Sequence, residues 1–256
     1  MPRFFVRKEQ INENVIKLYG DDAHHIARSL RMAVGDSVTV CDMQSNEYSC
    51  RIESFDGDRE VTVSVLDVKH AENEPPYRIR LYQALPKGDK LDTVIQKAVE
   101  CGAAEIIPFE SERCVVRVKV DAEERKTERR KRIAVEAAKQ CGRSLLPEVY
   151  PTVSFERMLE LSREDGLCLF CYEGDGTEPL GEVLRREEDF FKSADGGCIS
   201  VIIGSEGGFS VEEAERIKSN GARAVGLGKR ILRTETASGF VLSCLVYVCE
   251  LGGKSW

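Results

Sequence analysis

The sequence contains no uninterrupted apolar run of the roughly 18 to 20 residues that a bilayer crossing takes. Its longest candidate, Phe240 to Leu251, is broken by Ser243 and Glu250, so no membrane span is expected. The opening residues Met1-Pro2-Arg3-Phe4-Phe5-Val6-Arg7-Lys8 lack an apolar core ahead of a small-residue cleavage site, which argues against a secretory signal and for the cytoplasm. Histidine is scarce, with only His24, His25 and His70. The lone C-x-x-C, Cys168-Leu169-Phe170-Cys171, lies in an apolar strand without a second pair, and strand alternation separates its two thiols. No metal is expected, and the 10 scattered cysteines predict reduced thiols rather than a disulfide framework. Excess positive charge is missing too: 37 basic against 44 acidic side chains give a net charge of -7. That balance excludes a protein that coats nucleic acid by bulk charge, although a local basic groove remains compatible with it.

Two nucleotide fingerprints are also absent. No G-x-G-x-x-G follows a strand, and Gly228-Lys229 is followed by Arg230 rather than Ser or Thr, which counts against dinucleotide oxidoreductases and P-loop enzymes. What is present is an ordinary folded composition, 42% hydrophobic and 32% charged over 256 residues, enough for one large domain or two smaller ones.

The first part reads as short β segments, Arg3 to Val6, Ser37 to Asp42, Glu47 to Phe55 and Glu60 to Val68, with Gly35-Asp36 and Asp56-Gly57-Asp58 as turns. That spacing predicts a small β-barrel over 1–72. Between the first two segments, Ile26, Leu30 and Ala33 fall on one face of a helix predicted over His24 to Met32, with Arg28 and Arg31 on others. Ala71-Glu72-Asn73-Glu74-Pro75-Pro76 is polar and ends in prolines, which marks it as the linker. A second domain over 76–256 then alternates strands and helices: strand Arg78 to Ala84, helix Lys90 to Cys101, strand Glu105 to Pro108, helix Ala122 to Gln140, strand Leu167 to Tyr172. Strand Cys198 to Ile203, helix Val211 to Ser219, strand Ala222 to Leu227 and helix Thr236 to Glu250 complete an α/β pattern that predicts a parallel sheet covered by helices.

The chemistry is concentrated near the C-terminus. Strand Ile199 to Ile203 runs into Gly204-Ser205-Glu206-Gly207-Gly208-Phe209 and then a capping-box helix start, Ser210-Val211-Glu212-Glu213. Glycines there allow close backbone approach to a ligand, and free N–H groups at a helix start receive anions; a plain tight turn is the alternative. A second glycine turn follows, Gly226-Leu227-Gly228-Lys229-Arg230-Ile231-Leu232-Arg233-Thr234-Glu235-Thr236-Ala237, dense in hydroxyls and alternating charge. Two such loops could build one pocket.

These two stretches resemble the RsmE family, SPOUT-class enzymes that methylate N3 of a uridine in 16S ribosomal RNA of the small subunit. The resemblance extends over nearly the whole chain and includes Pro2-Arg3-Phe4-Phe5, His24-His25-Ile26-Ala27-Arg28-Ser29-Leu30-Arg31-Met32, Lys87-Gly88-Asp89-Lys90 and Gln140-Cys141-Gly142-Arg143. One departure is Ser205, where the family usually has proline. The resemblance implies an N-terminal PUA-like barrel, a C-terminal α/β domain tied in a trefoil knot, a homodimer, and S-adenosylmethionine as cofactor. Gly204, Leu227, Gly228, Ile231, Leu232, Thr234, Thr236 and Ala237 would form the cofactor pocket.

Methyl transfer is an in-line displacement that needs donor and nucleophile aligned and desolvated. Uracil N3 carries a proton that must leave, so the site needs a base or a cation that stabilises the uracil anion. Arg233 is the candidate cation and Glu206 or Glu235 the candidate base, against the alternative of a salt-bridged helix start. For RNA phosphates the candidates are Arg3, Arg7, Arg28 and Arg31, with Lys8, Arg113, Arg117, Lys119 and the Arg125 to Arg132 run as further cations; Glu123, Glu124 and Glu128 interrupt that run, as on a solvated helix face, and Arg143, in its family motif, is the RNA-binding candidate at the active-site mouth. His24-His25 reads as a helix start rather than a catalytic dyad. The rival to the enzyme is a non-enzymatic RNA-binding dimer of the same fold, or an enzyme of this class with another RNA target.

Overall fold

The computed structural model describes residues 1–187, 190–191 and 197–251. The chain divides into two compact units, one of Met1–Glu74 with Ala138–Leu146, the other of Pro75–Ala137 with the chain from Pro147 onward.

The first unit is built on β1 (Arg3–Phe5), β2 (Ile11–Asn12), β3 (Val15–Tyr19), β4 (Ser37–Cys41), β5 (Asn46–Asp56) and β6 (Glu60–His70), with the short helix α1 (Gly20–His24) after β3. Alternation decides the inner face: Ile16 and Leu18, Val38 and Val40, and Val61 and Val63 are buried, while Lys17, Thr39 and Thr62 between them are more exposed. The sheet order is β1-β4-β5-β6-β3-β2, with β1 parallel to β4 and all other pairs antiparallel. Phe4 at one edge shares a single core with Ile16 and Leu18 near the other. The sheet must therefore curl, and β-bulges between Ser49 and Cys50 and between Ile52 and Ser54 provide the bend. No ladder joins β1 to β2 among the described residues, so the small barrel read from the sequence is a curled sheet left open between those two strands.

Two local differences have physical causes. The β2–β3 hairpin escapes the sequence pattern because its turn is Glu13-Asn14, without glycine, and Glu13 itself takes the left-handed conformation at φ 50°. The helix predicted over His24 to Met32 is instead a π-turn over His25–Ser29 that follows α1. Only Ile26 of the predicted face is buried; Leu30 is exposed, and Arg31 ends the turn at φ 52°.

Ala138–Leu146 joins this unit through buried charge, although the sequence places it within 76–256. Arg3 Nη1 donates to Glu47 Oε1 at 2.7 Å, and the Ser144 hydroxyl donates to the same oxygen at 2.5 Å. The Arg143 guanidinium pairs with Glu74 at 2.8 Å, whose other oxygen accepts from the Ser144 and Leu145 N–H groups at 2.7 and 3.0 Å. Burial alone would raise the Glu47 pKa; the Arg3 and Ser144 hydrogen bonds outweigh it and hold the carboxyl at about 2. The guanidinium groups of Arg3 and Arg143 are both turned inward onto carboxylates. Arg7, Arg28 and Arg31 are exposed, with Arg28 3.0 Å from Asp58.

The second unit contains β7 (Arg78–Ala84), α2 (Lys90–Glu100), β8 (Ala103–Phe109), α3 (Val120–Cys141), β9 (Glu148–Val149), α4 (Phe155–Arg163), β10 (Leu167–Cys171), β11 (Glu178–Pro179), α5 (Leu180–Arg186), β12 (Cys198–Ile203), α6 (Val211–Ser219), β13 (Arg223–Gly226) and α7 (Thr234–Val246), the last continuing as a π-turn to Leu251. The last residues of α3 belong to the first unit. The sheet order is β11-β13-β10-β12-β7-β8-β9, and every pair is parallel. Runs such as Ile199-Ser200-Val201-Ile202-Ile203 are fully buried, as strands covered on both faces must be. Thr234–Leu251 is long and apolar enough to cross a membrane by composition alone. Here Thr234, Ser238, Val241, Leu242 and Leu245 are buried, and α7 packs on α2 and β12.

The order β13-β10-β12 differs from the chain order, so residues 227–233 run from the end of β13 back past β10 to bring Thr234 beside the end of β12. Three loops therefore leave the carboxyl ends of adjacent parallel strands, where α/β sheets bind ligands.

Replacing Arg3 by Met leaves the buried Glu47, among the described residues, with the exposed Lys69 at 3.4 Å as its cation. We expect a loss of about 3 kcal/mol at neutral pH in urea denaturation. Because the folded pKa of Glu47 lies below its ordinary 4.5, this stabilisation is complete above that pH and is lost as pH falls towards about 2. The difference between wild type and variant should shrink across that window.

Candidate active site

The site is built first by β12. Its last residue, Ile203, is followed by Gly204, where a Cβ would stand 2.9 Å from the Phe209 ring and 3.3 Å from the Gly208 Cα, so the turn folds back only on a glycine. Ser205 to Gly208 closes as a turn, with the Gly208 N–H donating to the Ser205 carbonyl at 3.0 Å. Ser210 then caps α6 as its pattern predicts: its hydroxyl accepts from the Glu213 N–H, and Glu213 accepts from the Ser210 N–H. The other Glu213 oxygen accepts from the Glu112 N–H at 2.8 Å, which ties the loop bearing Arg113 to the same turn. Arg113 itself donates to the Gly207 carbonyl at 3.3 Å.

The second wall comes from β13. Gly228 sits at φ 107°, open to glycine and strained for any other residue. The segment ends where the Thr234 hydroxyl donates to the Gly204 carbonyl at 2.6 Å. The Gln83 amide, fully buried on β7, donates to the Thr234 oxygen at 2.9 Å. One threonine hydroxyl thus joins the two glycine loops and fastens both to the sheet.

Between these loops lies a cavity of about 890 Å³, within the range of small-molecule sites. Ile203, Leu227 and Leu232 give it apolar surface, the glycine loops give it exposed backbone, and Glu206, Arg233 and Lys90 give it charge. Lys90 stands at the start of α2, 2.7 Å from Glu206 Oε1 and 3.5 Å from Glu235 Oε2. Burial pushes the Glu206 carboxyl up, but Lys90, joined by the Lys87 N–H, outweighs it and holds the carboxyl below its ordinary range. The hydrogen bond to Glu206 in turn raises Lys90.

Of the residues singled out from the sequence, Gly204, Glu206, Leu227, Gly228, Ile231, Leu232, Arg233, Thr234 and Ala237 line this cavity. Thr236 does not: it is exposed, and its N–H closes the first helical turn onto the Arg233 carbonyl at 2.9 Å. Glu235 also lies outside the lining, set behind it against Lys90. Sequence reasoning assigned no role to Lys90, Gln83 or the Tyr172 to Thr177 loop that forms the third wall. The Lys87-Gly88-Asp89-Lys90 string was the available signal for the first. A lone glutamine inside a strand offered none. In the C-x-x-C, Cys168 is buried in β10 and its thiol is pushed up to about 12 by burial, while Cys171 lines the cavity.

Thr234→Val keeps the shape and deletes the bridging hydroxyl. We expect a loss of about 1 to 3 kcal/mol in denaturant titration, because a half-buried carbonyl and a buried amide each lose one of their partners, with Thr234→Ser close to wild type.

The chain matches the family model described as an RNA methyltransferase domain over residues 73–246 and that of the RNA methyltransferase PUA domain over residues 18–66. It is 34% identical over 254 residues to ribosomal RNA small subunit methyltransferase E of Bacillus subtilis, covering 98% of each chain. To the Synechocystis protein of the same name it is 30% identical, over 92% of this chain and 74% of that one. The crystal structure of ribosomal RNA small subunit methyltransferase E from Neisseria gonorrhoeae bound to S-adenosyl methionine superposes with a TM-score of 0.83 at 27% identity, over 97% of this chain and 98% of that one. With both units and the glycine-loop cavity accounted for, the chain belongs to the family of ribosomal RNA small subunit methyltransferase E.

Proposed function

We propose that this RNA methyltransferase moves the methyl group of S-adenosylmethionine to N3 of a uridine in 16S ribosomal RNA, in the cytoplasm. The observation that carries this reading is the cavity between the two glycine loops, which offers apolar walls, unshielded backbone and a cation with a carboxylate in one place. Those features suit the cofactor: Gly204, Leu227 and Gly228 present backbone, Ile203 and Leu232 present apolar surface, and closely approaching backbone with few polar groups is how such pockets hold adenosine-bearing ligands. When bound, the cofactor supplies an electrophilic methyl group on sulfur.

The chain's own residues handle the uracil. Arg233, exposed at the cavity and preceding α7, stabilises the negative charge that develops as the N3 proton leaves. Glu206 is the carboxylate that lines the cavity, ionised at neutral pH as carboxylates ordinarily are, and it is the proposed acceptor of that proton. Glu235 is the second carboxylate behind it. Arg7, Arg28 and Arg31, all exposed on the first unit, are the proposed phosphate contacts. The path of residues 227–233 back past β10 supports a trefoil knot, and we assign residues 1–72 and 76–256 to the PUA-like and SPOUT domains. The outward Phe240 and Tyr247 of the α7 segment, both large, apolar and exposed, support a homodimer through this helix.

Calorimetry with S-adenosylmethionine and transfer of labelled methyl to small subunits from a strain lacking the enzyme test the reading. Binding with incorporation at uridine N3 is expected; no heat and no incorporation would leave an RNA-binding dimer. In the same assay Arg233→Ala should lower turnover by about 100-fold or more while changing cofactor affinity little. Equal loss of both would remove Arg233 from the chemistry. Phe240→Glu should turn the dimer into a monomer in light scattering.

A further inference from the structure

The Lys87-Gly88-Asp89-Lys90 segment turns at Gly88, φ 64°, and delivers two groups to one carboxylate: the Lys87 N–H lies 3.2 Å and the Lys90 ammonium 2.7 Å from Glu206 Oε1. The same ammonium stands 3.5 Å from Glu235 Oε2. That oxygen is enclosed and has no hydrogen-bond partner among the described residues, so the ammonium compensates it through space. Two carboxylates from different loops, the turn after β12 and the start of α7, therefore share one cation from α2. Without it they would face each other with like charge and one would tend to take up a proton.

We propose that Lys90 is a positioning residue for methyl transfer: its ammonium group clamps Glu206 and Glu235 together, holding Glu206 at the cavity in the orientation that receives the uracil N3 proton. The inference rests on the role given to Glu206 above. Lys90 itself neither accepts nor delivers the proton. Glu206 binding raises its pKa, so it stays an ammonium throughout. Glu206 is faced by Lys90 and the Lys87 N–H, and Lys90 by Glu206 and Glu235. The other charged groups on the same cavity are Arg113, Glu173, Lys229, Arg230 and Arg233. An exposed Arg233 on its own loop does not replace a cation fixed at hydrogen-bond distance.

Loss of the clamp has a sign. Removing the cation raises the Glu206 pKa towards and past its ordinary value, so activity that needs the carboxylate loses its acid side first. The test compares Lys90→Met, Lys90→Arg and, as a control, Lys97→Met, whose ammonium pairs with Glu100 on the outer part of the same helix. Two readouts are taken on the full chain: the pH profile of kcat/KM for small-subunit methylation, and the Glu206 carboxyl titration followed by carbon NMR of labelled glutamate, which does not depend on activity. Lys90→Met should lower kcat at least tenfold, leave S-adenosylmethionine affinity within about threefold, and shift both the acid limb and the Glu206 titration to higher pH. Lys90→Arg should restore most of each, and Lys97→Met should behave as wild type. An unchanged Glu206 titration in Lys90→Met overturns the clamp. A raised titration with an unshifted activity profile overturns the positioning role. Absence of methyl transfer by the wild type would instead strike the proposed function, with the titration still reporting on the clamp.

Discussion

The hydroxyl of Thr234 is the point on which the site depends. It donates to the Gly204 carbonyl and accepts from the buried Gln83 amide, so three segments distant in sequence, the carboxyl end of β7, the turn after β12 and the first residue of α7, meet at one oxygen. The Gly204 carbonyl lies just past the last ladder position of β12, where a parallel strand leaves its backbone without a neighbour, and a buried carbonyl without a partner is costly. The bond solves that problem and fixes the return path of residues 227–233 at the same time. The cavity is what remains between the loops so held. Its walls are backbone and apolar side chains because the glycines leave no room for, or no strain-free alternative to, a bare main chain at Gly204 and Gly228.

Charge is distributed by the same logic of who has a partner. In the first unit Arg3 and Arg143 are spent on Glu47 and Glu74, and they bind the end of α3 to the curled sheet rather than facing solvent. On α3 itself, Arg130 is buried against Glu123 and Arg129 reaches Asp92 at 2.5 Å, so a run that reads as a phosphate track is partly internal architecture. At the cavity the arrangement differs: Arg233 stays exposed, while Glu206 and Glu235 converge on one lysine. In the proposed mechanism these are the cation and the carboxylate that proton removal from a weakly acidic ring nitrogen needs.

How much of this was legible beforehand follows from the range of the forces involved. The strands and helices around the sheet of the second unit are local consequences of buried apolar runs and caps, and the capping box at Ser210 and the glycine turns at 204–208 and 226–228 announce themselves in sequence. The β2–β3 hairpin did not, because Glu13 adopts a left-handed conformation that its identity does not advertise. The helix predicted over His24 to Met32 is helical only as far as Ser29, and of its predicted face Ile26 alone is buried. Gln83 and Lys90 act across more than a hundred residues of chain, and no periodicity carries such a contact. Arg143 shows the same limit from the other side: its motif reads as a functional cation, and nothing in the sequence signals that it is buried against Glu74.

The central claim is that the two glycine loops joined at Thr234 hold the methyl donor between them. A crystal structure of this chain grown with S-adenosylmethionine tests it most directly. The account predicts density for the donor between residues 204–209 and 227–232, its methyl group turned towards Arg233 and Glu206. Density for the donor in any other part of the chain, with these loops occupied by solvent alone, would contradict it.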